Sequence, residues 1–219
     1  WQPSSTHQYL YDRWNLIQEH TQTPSPPYSH TRYYSWGLDL AGLETGDWSQ
    51  DAGGIGGLLA ITEVAGGSTN IFLPVCDQVG TIHALIAAVT NNVALAAPFV
   101  AVRYEYSPYG ELLEVLPDPR LITDDGSPIT SPTFGFQSKY RDAETGFWYF
   151  GHRFFDSRCA QWLTHDPLRE GGGFNLACFC GGDPVGKVDP LGLIAKQAAD
   201  TFRQKVIAWA DQRAWYDPT

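Results

Sequence analysis

The sequence predicts an all-β protein built from antiparallel hairpins, followed by one short helix at its C-terminal end. Three observations lead to this fold class: short segments in which apolar and polar side chains alternate, turn sequences between those segments, and a high aromatic content. The 219 residues include 8 Trp, 11 Tyr and 11 Phe, and such side chains favour pleated, half-buried surfaces. Only 17% of the residues are charged, which predicts a packed core rather than disorder.

The clearest strand signal lies in residues 100–106. Alternate positions place Val and Tyr side chains on one face of this segment, and Ala, Arg and Glu side chains on the other. Residues 107–110 read Ser-Pro-Tyr-Gly, a turn sequence, and residues 111–115 can return as the second strand of a hairpin. The same order of aromatic strand, polar turn and return strand occurs in residues 9–17, 33–40 and 147–155.

Segments rich in turn-forming residues are predicted to connect these hairpins. Residues 21–29 carry Pro, Ser and Thr and are expected to form a surface loop, and residues 116–132 carry Pro, Asp and Gly and are expected to be irregular. The glycines within residues 53–57 lack the Gly-Lys-Ser/Thr ending of a phosphate-binding loop. A flexible turn is therefore the preferred interpretation over a nucleotide site.

The C-terminal segment has the period of a helix. After Ile194, the apolar residues Ala198, Phe202, Val206 and Trp209 step by four, four and three positions, with charged and polar residues between them. This pattern predicts an amphipathic helix of roughly 20 residues. The change from a period of two to a period of 3.6 occurs at residues 190–193, which is the strongest boundary in the sequence.

The composition excludes several functions. The chain carries 14 Lys and Arg against 24 Asp and Glu, a net charge of -10, with no basic stripe that could hold nucleic acid. The longest apolar stretch, residues 82–102, is interrupted by polar residues and by Pro98, so no membrane-spanning helix is predicted. Because the chain begins at Trp1 and lacks Met, we expect it to be a processed piece of a longer protein.

The cysteine and histidine pattern does not indicate a metal site. Cys178 and Cys180 are separated by a single residue, which suits neither the usual Cys-x-x-Cys metal site nor a local disulfide. We expect the four cysteines to be buried free thiols rather than ligands or disulfides. No metal and no cofactor are predicted.

Three motifs near the C-terminal end carry a family resemblance. They read FGFQSKYRDAETGFWYFGHRFFD in residues 134–156, WLTHDPL in residues 162–168 and DPVGKVDPLGL in residues 183–193. Together they resemble the RHS-repeat-associated core domain. Upstream, residues 9–16, 34–40 and 103–110 resemble the YD-type repeats that precede that core, so the resemblance covers most of the chain.

The resemblance implies a protein that encloses another polypeptide. RHS proteins wind hairpin strips into a hollow shell, hold a variable C-terminal toxin inside it, and sever that toxin by aspartyl autoproteolysis. The implied organisation is YD-repeat-like strips in residues 1–133, an RHS core in residues 134–193, and the start of the variable region in residues 194–219. The implied partners are the rest of the shell, the C-terminal effector, and an immunity protein or secretion-system component. The implied location is that of a secreted or cell-surface bacterial protein delivered into a target cell.

The implied cleavage falls between Leu193 and Ile194, at the boundary that the hydrophobic period also indicates. Matching the motifs makes Asp166 and Asp189 the candidate catalytic pair. Two adjacent carboxyl groups can divide acid and base roles, because two like charges in contact raise the pKa of one of them. Pro190 and Gly192 are expected to form a tight turn that brings the scissile carbonyl back over Asp189.

Relatives carry a basic residue shortly before the first aspartate that this sequence lacks. His165 and Arg169 are the candidate auxiliary residues that would replace it. Two alternatives remain. Asp-Pro pairs also initiate ordinary turns. Tryptophans that stack on sugars would make the chain a carbohydrate-binding adhesin, whereas tryptophans that fill pleated β-surfaces would fit a non-catalytic scaffold, which is the preferred interpretation of them. Those tryptophans are Trp14, Trp36, Trp48, Trp148 and Trp162. Glycoside hydrolysis by paired carboxylates has no specific motif in the sequence.

Overall fold

A computed structural model describes residues 5–24, 27–39, 54–90, 97–121, 133–169 and 175–197. It contains one large antiparallel sheet and two small ones, which confirms the all-β prediction. The large sheet is an eight-stranded meander in which each strand pairs with the next strand in the sequence. Its strands are β1 (Thr6–Asp12), β2 (Asn15–Pro24), β3 (Pro27–Trp36), β4 (Leu58–Ala65), β5 (Ser68–Cys76), β6 (Ile82–Thr90), β7 (Phe99–Tyr106) and β8 (Leu112–Pro117).

The small sheets lie in the C-terminal third of the chain. One has the strand order β12-β11-β10-β9, and the other pairs β13 with β14. These strands are β9 (Tyr140–Arg141), β10 (Trp148–Tyr149), β11 (Phe154–Asp156), β12 (Gln161–Trp162), β13 (Lys187–Val188) and β14 (Lys196–Gln197). The predicted hairpins at residues 9–17, 100–115 and 147–155 are present. The hairpin predicted at residues 33–40 is wrong, because β3 continues to Trp36 and pairs with β4 instead of folding back on itself.

Two further predictions about local structure are wrong. Residues 21–24 and 27–29 are strands rather than a loop, because β2 runs to Pro24 and β3 starts at Pro27. Polar side chains pair across these two strands, as in the 2.8 Å hydrogen bond between His20 Nδ1 and Thr31 Oγ1. The helix predicted from Ile194 does not begin there, because β14 pairs with β13 and occupies its first turn. Residues 198–219, the remainder of that predicted helix, lie outside the described residues.

The core is divided into two main clusters. The first covers one face of the large sheet and includes Phe72 and Tyr104, with Phe134 packed over it. The second is mostly aromatic and lies between the elements of the C-terminal third. Its residues are Phe136, Trp148, Phe150, Phe155, Trp162, Phe179 and Cys180. Burial of such aromatic side chains supplies most of the stabilising free energy available to short strands of two or three residues.

A short loop joins the two clusters. Gln137 and Ser138 both have positive φ, 48° and 53°, a conformation that costs a non-glycine residue free energy. The loop is held to the large sheet by Ser138 Oγ, which donates to Gly80 O at 2.7 Å and accepts from Gly56 N at 2.8 Å. These contacts fix the C-terminal third against the β5–β6 turn.

Candidate active site

Arg153 joins the two aspartates that the sequence singles out. It lies in the turn between β10 and β11, and its Nη2 atom is 2.9 Å from Asp166 Oδ2 and 3.8 Å from Asp189 Oδ2. All three side chains are buried. Because Asp166 Oδ2 and Asp189 Oδ2 approach the same nitrogen atom, the distance between these two oxygens cannot exceed the sum of the two contacts. The fold therefore brings Asp166 and Asp189 together, although they are far apart in the sequence.

The local sequence around Asp166 forms a turn that leaves one carboxylate oxygen for Arg153. Asp166 Oδ1 accepts a hydrogen bond from the amide of Leu168 at 2.8 Å, and Asp166 O accepts one from the amide of Arg169 at 2.9 Å. This is the ordinary capping behaviour of an Asp-Pro turn. The turn and the ion pair use different oxygens, so the structural role and a chemical role are compatible in one side chain.

Asp189 caps the turn that leads to the predicted cleavage bond. Its Oδ1 atom accepts hydrogen bonds from the amides of Gly192 at 2.8 Å and Leu193 at 2.9 Å. Gly192 has φ of +72°, a conformation that favours glycine, and a Cβ atom there would lie 3.1 Å from Phe150 Cβ. The carboxylate of Asp189 therefore touches the residue that contributes the carbonyl of the Leu193–Ile194 bond.

The carbonyl oxygens of the same turn accept hydrogen bonds from residues outside the turn. Lys139 Nζ donates to Pro190 O at 2.6 Å, the amide of His152 donates to Leu191 O at 3.1 Å, and Arg153 Nε donates to Gly192 O. Three consecutive peptide groups are thus fixed by donors from other elements. Beyond the turn, Ile194 is exposed and Lys196–Gln197 returns to pair with β13.

Burial dominates the electrostatics of the site. Burial raises the pKa of Asp189 above its ordinary value, and the amides of Leu193 and Gly192 and the cations Arg153 and Lys139 offset only part of that rise. Burial also lowers the pKa of Arg153, against the opposing influence of Asp166 and Asp189. The Lys139 amine is buried as well, and its pKa is lowered to about 8 although Asp189 and Asp39 act in the other direction.

The auxiliary residues expected from the sequence do not occupy this site. The side chains of His165 and Arg169 are exposed, and among the described residues the ion pairs of both aspartates are made by Arg153. Arg153 is not among the site residues predicted from the sequence motifs. Its signal was a lone arginine within the aromatic run Gly-His-Arg-Phe-Phe of a predicted hairpin, where a buried cation needs acidic partners.

Known proteins resemble the chain in sequence and in fold. No protein-family model matches it. The chain is 32% identical over 77 residues to toxin protein Tse5 of Pseudomonas aeruginosa, and 34% identical over 74 residues to toxin subunit YenC1 of Yersinia entomophaga. These alignments cover 35% and 33% of the chain. The RHS-repeat family resemblance is thereby confirmed.

Solved RHS toxin structures share the fold. The crystal structure of TcdB2-TccC3 without its hypervariable C-terminal region matches 86% of the chain with a TM-score of 0.60 and 19% identity. A Photorhabdus luminescens Tc holotoxin pore structure matches 88% of the chain with a TM-score of 0.58 and 19% identity. The chain spans 6% and 8% of the two curated relatives and 8% of each of these solved chains, so it corresponds to a small part of RHS proteins of this kind.

The tryptophans considered from the sequence differ widely in their exposure. Trp148 and Trp162 are buried, Trp36 is half-buried, Trp14 is half exposed, and Trp48 lies outside the described residues. Trp148 and Trp162 therefore pack within the protein and present no ring to a sugar. The aromatic residues of the second cluster instead support the site, since the Arg153 guanidinium lies 4.1 Å from the centroid of the Trp162 ring.

All four cysteines are free. Cys180 is buried, but Cys76 and Cys159 are exposed, so the expectation of buried thiols is wrong for those two residues. The described part of the chain contains no group of three or more His, Cys, Asp or Glu side chains arranged to hold a metal ion. In that same part, no helix is long and apolar enough to cross a membrane.

Proposed function

We propose that this chain belongs to an RHS toxin shell and cuts its own backbone between Leu193 and Ile194. The observation that carries the proposal is the bridge made by Arg153 between Asp166 and Asp189. It is supported by the hydrogen bond from the amide of Leu193 to Asp189. Hydrolysis by two carboxyl groups needs them close together and close to the scissile peptide, and that arrangement fits both requirements.

The surroundings of each carboxyl group favour different roles. Asp166 has the shorter contact to the Arg153 guanidinium, which stabilises a carboxylate and suits the general base. Asp189 has a pKa raised by burial, which favours a protonated carboxyl group and suits the general acid. Arg153 reaches both and also holds Gly192 O, so it orients the pair and the turn together.

The proposed reaction adds one water molecule across the peptide bond. Asp166 removes a proton from the water molecule while the oxygen of that water bonds to the carbonyl carbon of Leu193. Asp189 then donates its proton to the nitrogen of Ile194 as the carbon–nitrogen bond breaks. The products are a carboxyl group on Leu193 and a free amino group on Ile194, and exchange with solvent restores the two protonation states. Because enzyme and substrate are one chain, no binding step is needed.

The resemblance to RHS proteins suggests that the cut releases an enclosed C-terminal effector. We infer that residues 1–133 form strips of the shell wall, that residues 134–193 form its RHS core, and that residues 194–219 begin an enclosed C-terminal effector. The partners on this proposal are the remainder of the shell and that effector, with an immunity protein or secretion-system component acting outside it. Delivery from the secreted shell into a target cell would use the severed effector.

Intact-mass spectrometry of the purified chain, held for days between about pH 5 and about pH 8, tests the proposal. The expected result is two fragments, the second beginning at Ile194 by N-terminal sequencing. Asp166→Asn and Asp189→Asn are each expected to stop the cut. Asp183→Asn is the matched control, because Asp183 also precedes a proline and caps a turn, at Gly186 N, but is exposed. A wild-type chain that stays intact, or cutting that persists in both variants, would refute self-cleavage.

A further inference from the structure

Gln137 and Lys139 contact opposite ends of the turn that holds Asp189. The Oε1 atom of Gln137 accepts a hydrogen bond from the amide of Asp189 at 3.1 Å, and its Nε2 atom donates to Lys187 O at 3.0 Å. Two residues along, Lys139 Nζ donates to Pro190 O at 2.6 Å. The segment from Asp189 N to Pro190 O is therefore held at both ends by one loop.

That loop is rigidly fixed and strained. Gln137 is fully buried, and both Gln137 and Ser138 have positive φ. The amide of Gln137 donates to Thr81 Oγ1 at 3.2 Å, which ties the loop to the large sheet. A strained conformation of this kind persists only where the surrounding contacts determine it, and it occurs often at functional sites. Here those contacts aim two polar side chains at the turn of Asp189.

The buried amine of Lys139 requires compensating contacts, since burial of a lysine without partners costs free energy of folding. Lys139 is buried, its amine lies 5.3 Å from the centroid of the Phe150 ring, and its hydrogen bond to Pro190 O connects it to the residue after Asp189. An apolar side chain would fill the same space without that cost. The contact with the turn accounts for the cation.

We propose that Lys139 is a positioning residue for self-cleavage, which acts with Gln137 by fixing the Asp189–Pro190 peptide so that the Asp189 carboxyl group faces Arg153 and Leu193. The proposal rests on the function proposed above. Lys139 does not contact the reacting atoms in this assignment. It acts through the turn and through its charge.

Lys139 also belongs to the set of titratable groups that face Asp189. That set consists of Arg153 from the β10–β11 turn, Lys139 from the strained loop, and the Cys180 thiol and Asp166 across the site. The cations Arg153 and Lys139 lower the pKa of Asp189 against the effect of burial. Removal of Lys139 is therefore expected to raise that pKa further, so that Asp189 stays protonated to higher pH.

The test compares Lys139→Met, Lys139→Gln and the control Lys187→Met in the full chain. Met keeps the length and loses the donor and the charge, whereas Gln keeps a donor and loses the charge. Loss of a hydrogen bond made by a charged group predicts cleavage slower by about tenfold or more in Lys139→Met. In both Lys139 variants the descending limb of the pH–rate profile should move to higher pH, and Gln should recover part of the rate. Lys187→Met should match wild type, because the backbone of Lys187, rather than its side chain, contacts Gln137.

A second readout separates this inference from the function on which it rests. The Asp189 carboxyl group is titrated by carbon NMR in an Asp166→Asn chain with and without Lys139→Met. A higher Asp189 pKa in the double variant supports positioning by Lys139, even where the wild-type chain proves uncut and self-cleavage is refuted. An unchanged Asp189 titration, or a slower cut with an unshifted pH profile, would overturn the assignment of Lys139.

Discussion

The carboxylate of Asp189 accepts a hydrogen bond from the backbone amide of Leu193 at 2.9 Å. This contact joins the side chain that begins the Asp-Pro-Leu-Gly turn to the residue that follows it. The same oxygen also accepts from Gly192 N, so the other oxygen is left to face Arg153. Asp189 thus stabilises the turn through its Oδ1 atom and faces Arg153, the ion-pair partner of Asp166, through its Oδ2 atom.

Arg153→Met tests whether the bridge between the aspartates supports stability. Removing the cation leaves two buried carboxyl groups without their partner, and breaking a buried ion pair in this way costs about 3–5 kcal/mol of unfolding free energy. The loss should be smaller at acidic pH, because burial raises the pKa of Asp189 and a protonated Asp189 needs no cation. Urea unfolding at neutral and acidic pH measures both effects, and intact mass should show no cut.

Arg158→Met is the matched control for Arg153→Met. Arg158 makes an ion pair with Asp156 at the same 2.9 Å distance, but its side chain is 61% exposed. An exposed ion pair contributes little to stability, so this variant should unfold close to wild type and cut at the wild-type rate. Equal destabilisation by the two substitutions would contradict a special role for the buried bridge.

The hairpins could be predicted because their signal is local. In β7 the alternate side chains of Val102 and Tyr104 are buried and those of Arg103 and Glu105 are exposed, as the period of two requires. The strand pair β2–β3 escaped prediction because polar residues are buried on its inner face, where Arg32 lies between Glu19 and Glu63 at 3.6 and 2.8 Å. A pattern based on apolar residues cannot detect a strand whose buried positions are charged.

The candidate site shows the same division between local and long-range information. The turn at Asp189 is local, and its Asp-Pro and Gly signals are visible in the sequence. The identity of the cation between the aspartates depends on three separate elements meeting in the fold. Proximity in the sequence predicts His165 and Arg169, whereas Arg153 occupies the position. The contact of Lys139 with Pro190 across 51 residues had no sequence signal at all.

Gly192→Ala should impair the proposed cut by distorting the turn. The φ of +72° is unfavourable for alanine, and the added Cβ atom would lie 3.1 Å from Phe150 Cβ. We expect cleavage slower by about tenfold or more, since a displaced scissile group loses its alignment. Gly66→Ala is the control: its φ is +57° and a Cβ atom there meets nothing within 4 Å. Comparable loss of cleavage in both variants would show that general destabilisation is the cause.

Phe179→Ala should destabilise the second core cluster. Phe179 is fully buried, and its ring centroid lies 4.2 Å from that of Phe155 and 5.3 Å from that of Trp162. Truncating a buried phenylalanine costs about 3–5 kcal/mol, measurable as a lower urea midpoint. Because Trp162 supports the Arg153 guanidinium, cleavage should slow as well. Phe154→Ala, at a side chain that is 38% exposed, should cost much less. A reversed order would contradict the assigned core.

His30→Gln should reduce the dependence of stability on acid pH. Burial, with Arg32 and His20 nearby, lowers the pKa of His30 from 6.5 to about 4. A histidine whose pKa is lowered by folding contributes stability that is fully present above its unfolded value and is lost as the pH falls from 6.5 towards 4. The unfolding free energy of wild type should therefore fall across that interval, and that of His30→Gln should fall less. Urea unfolding at both ends of the interval measures the difference, with exposed His165→Gln as the control. Parallel pH dependence in wild type and His30→Gln would show that other groups cause the acid sensitivity.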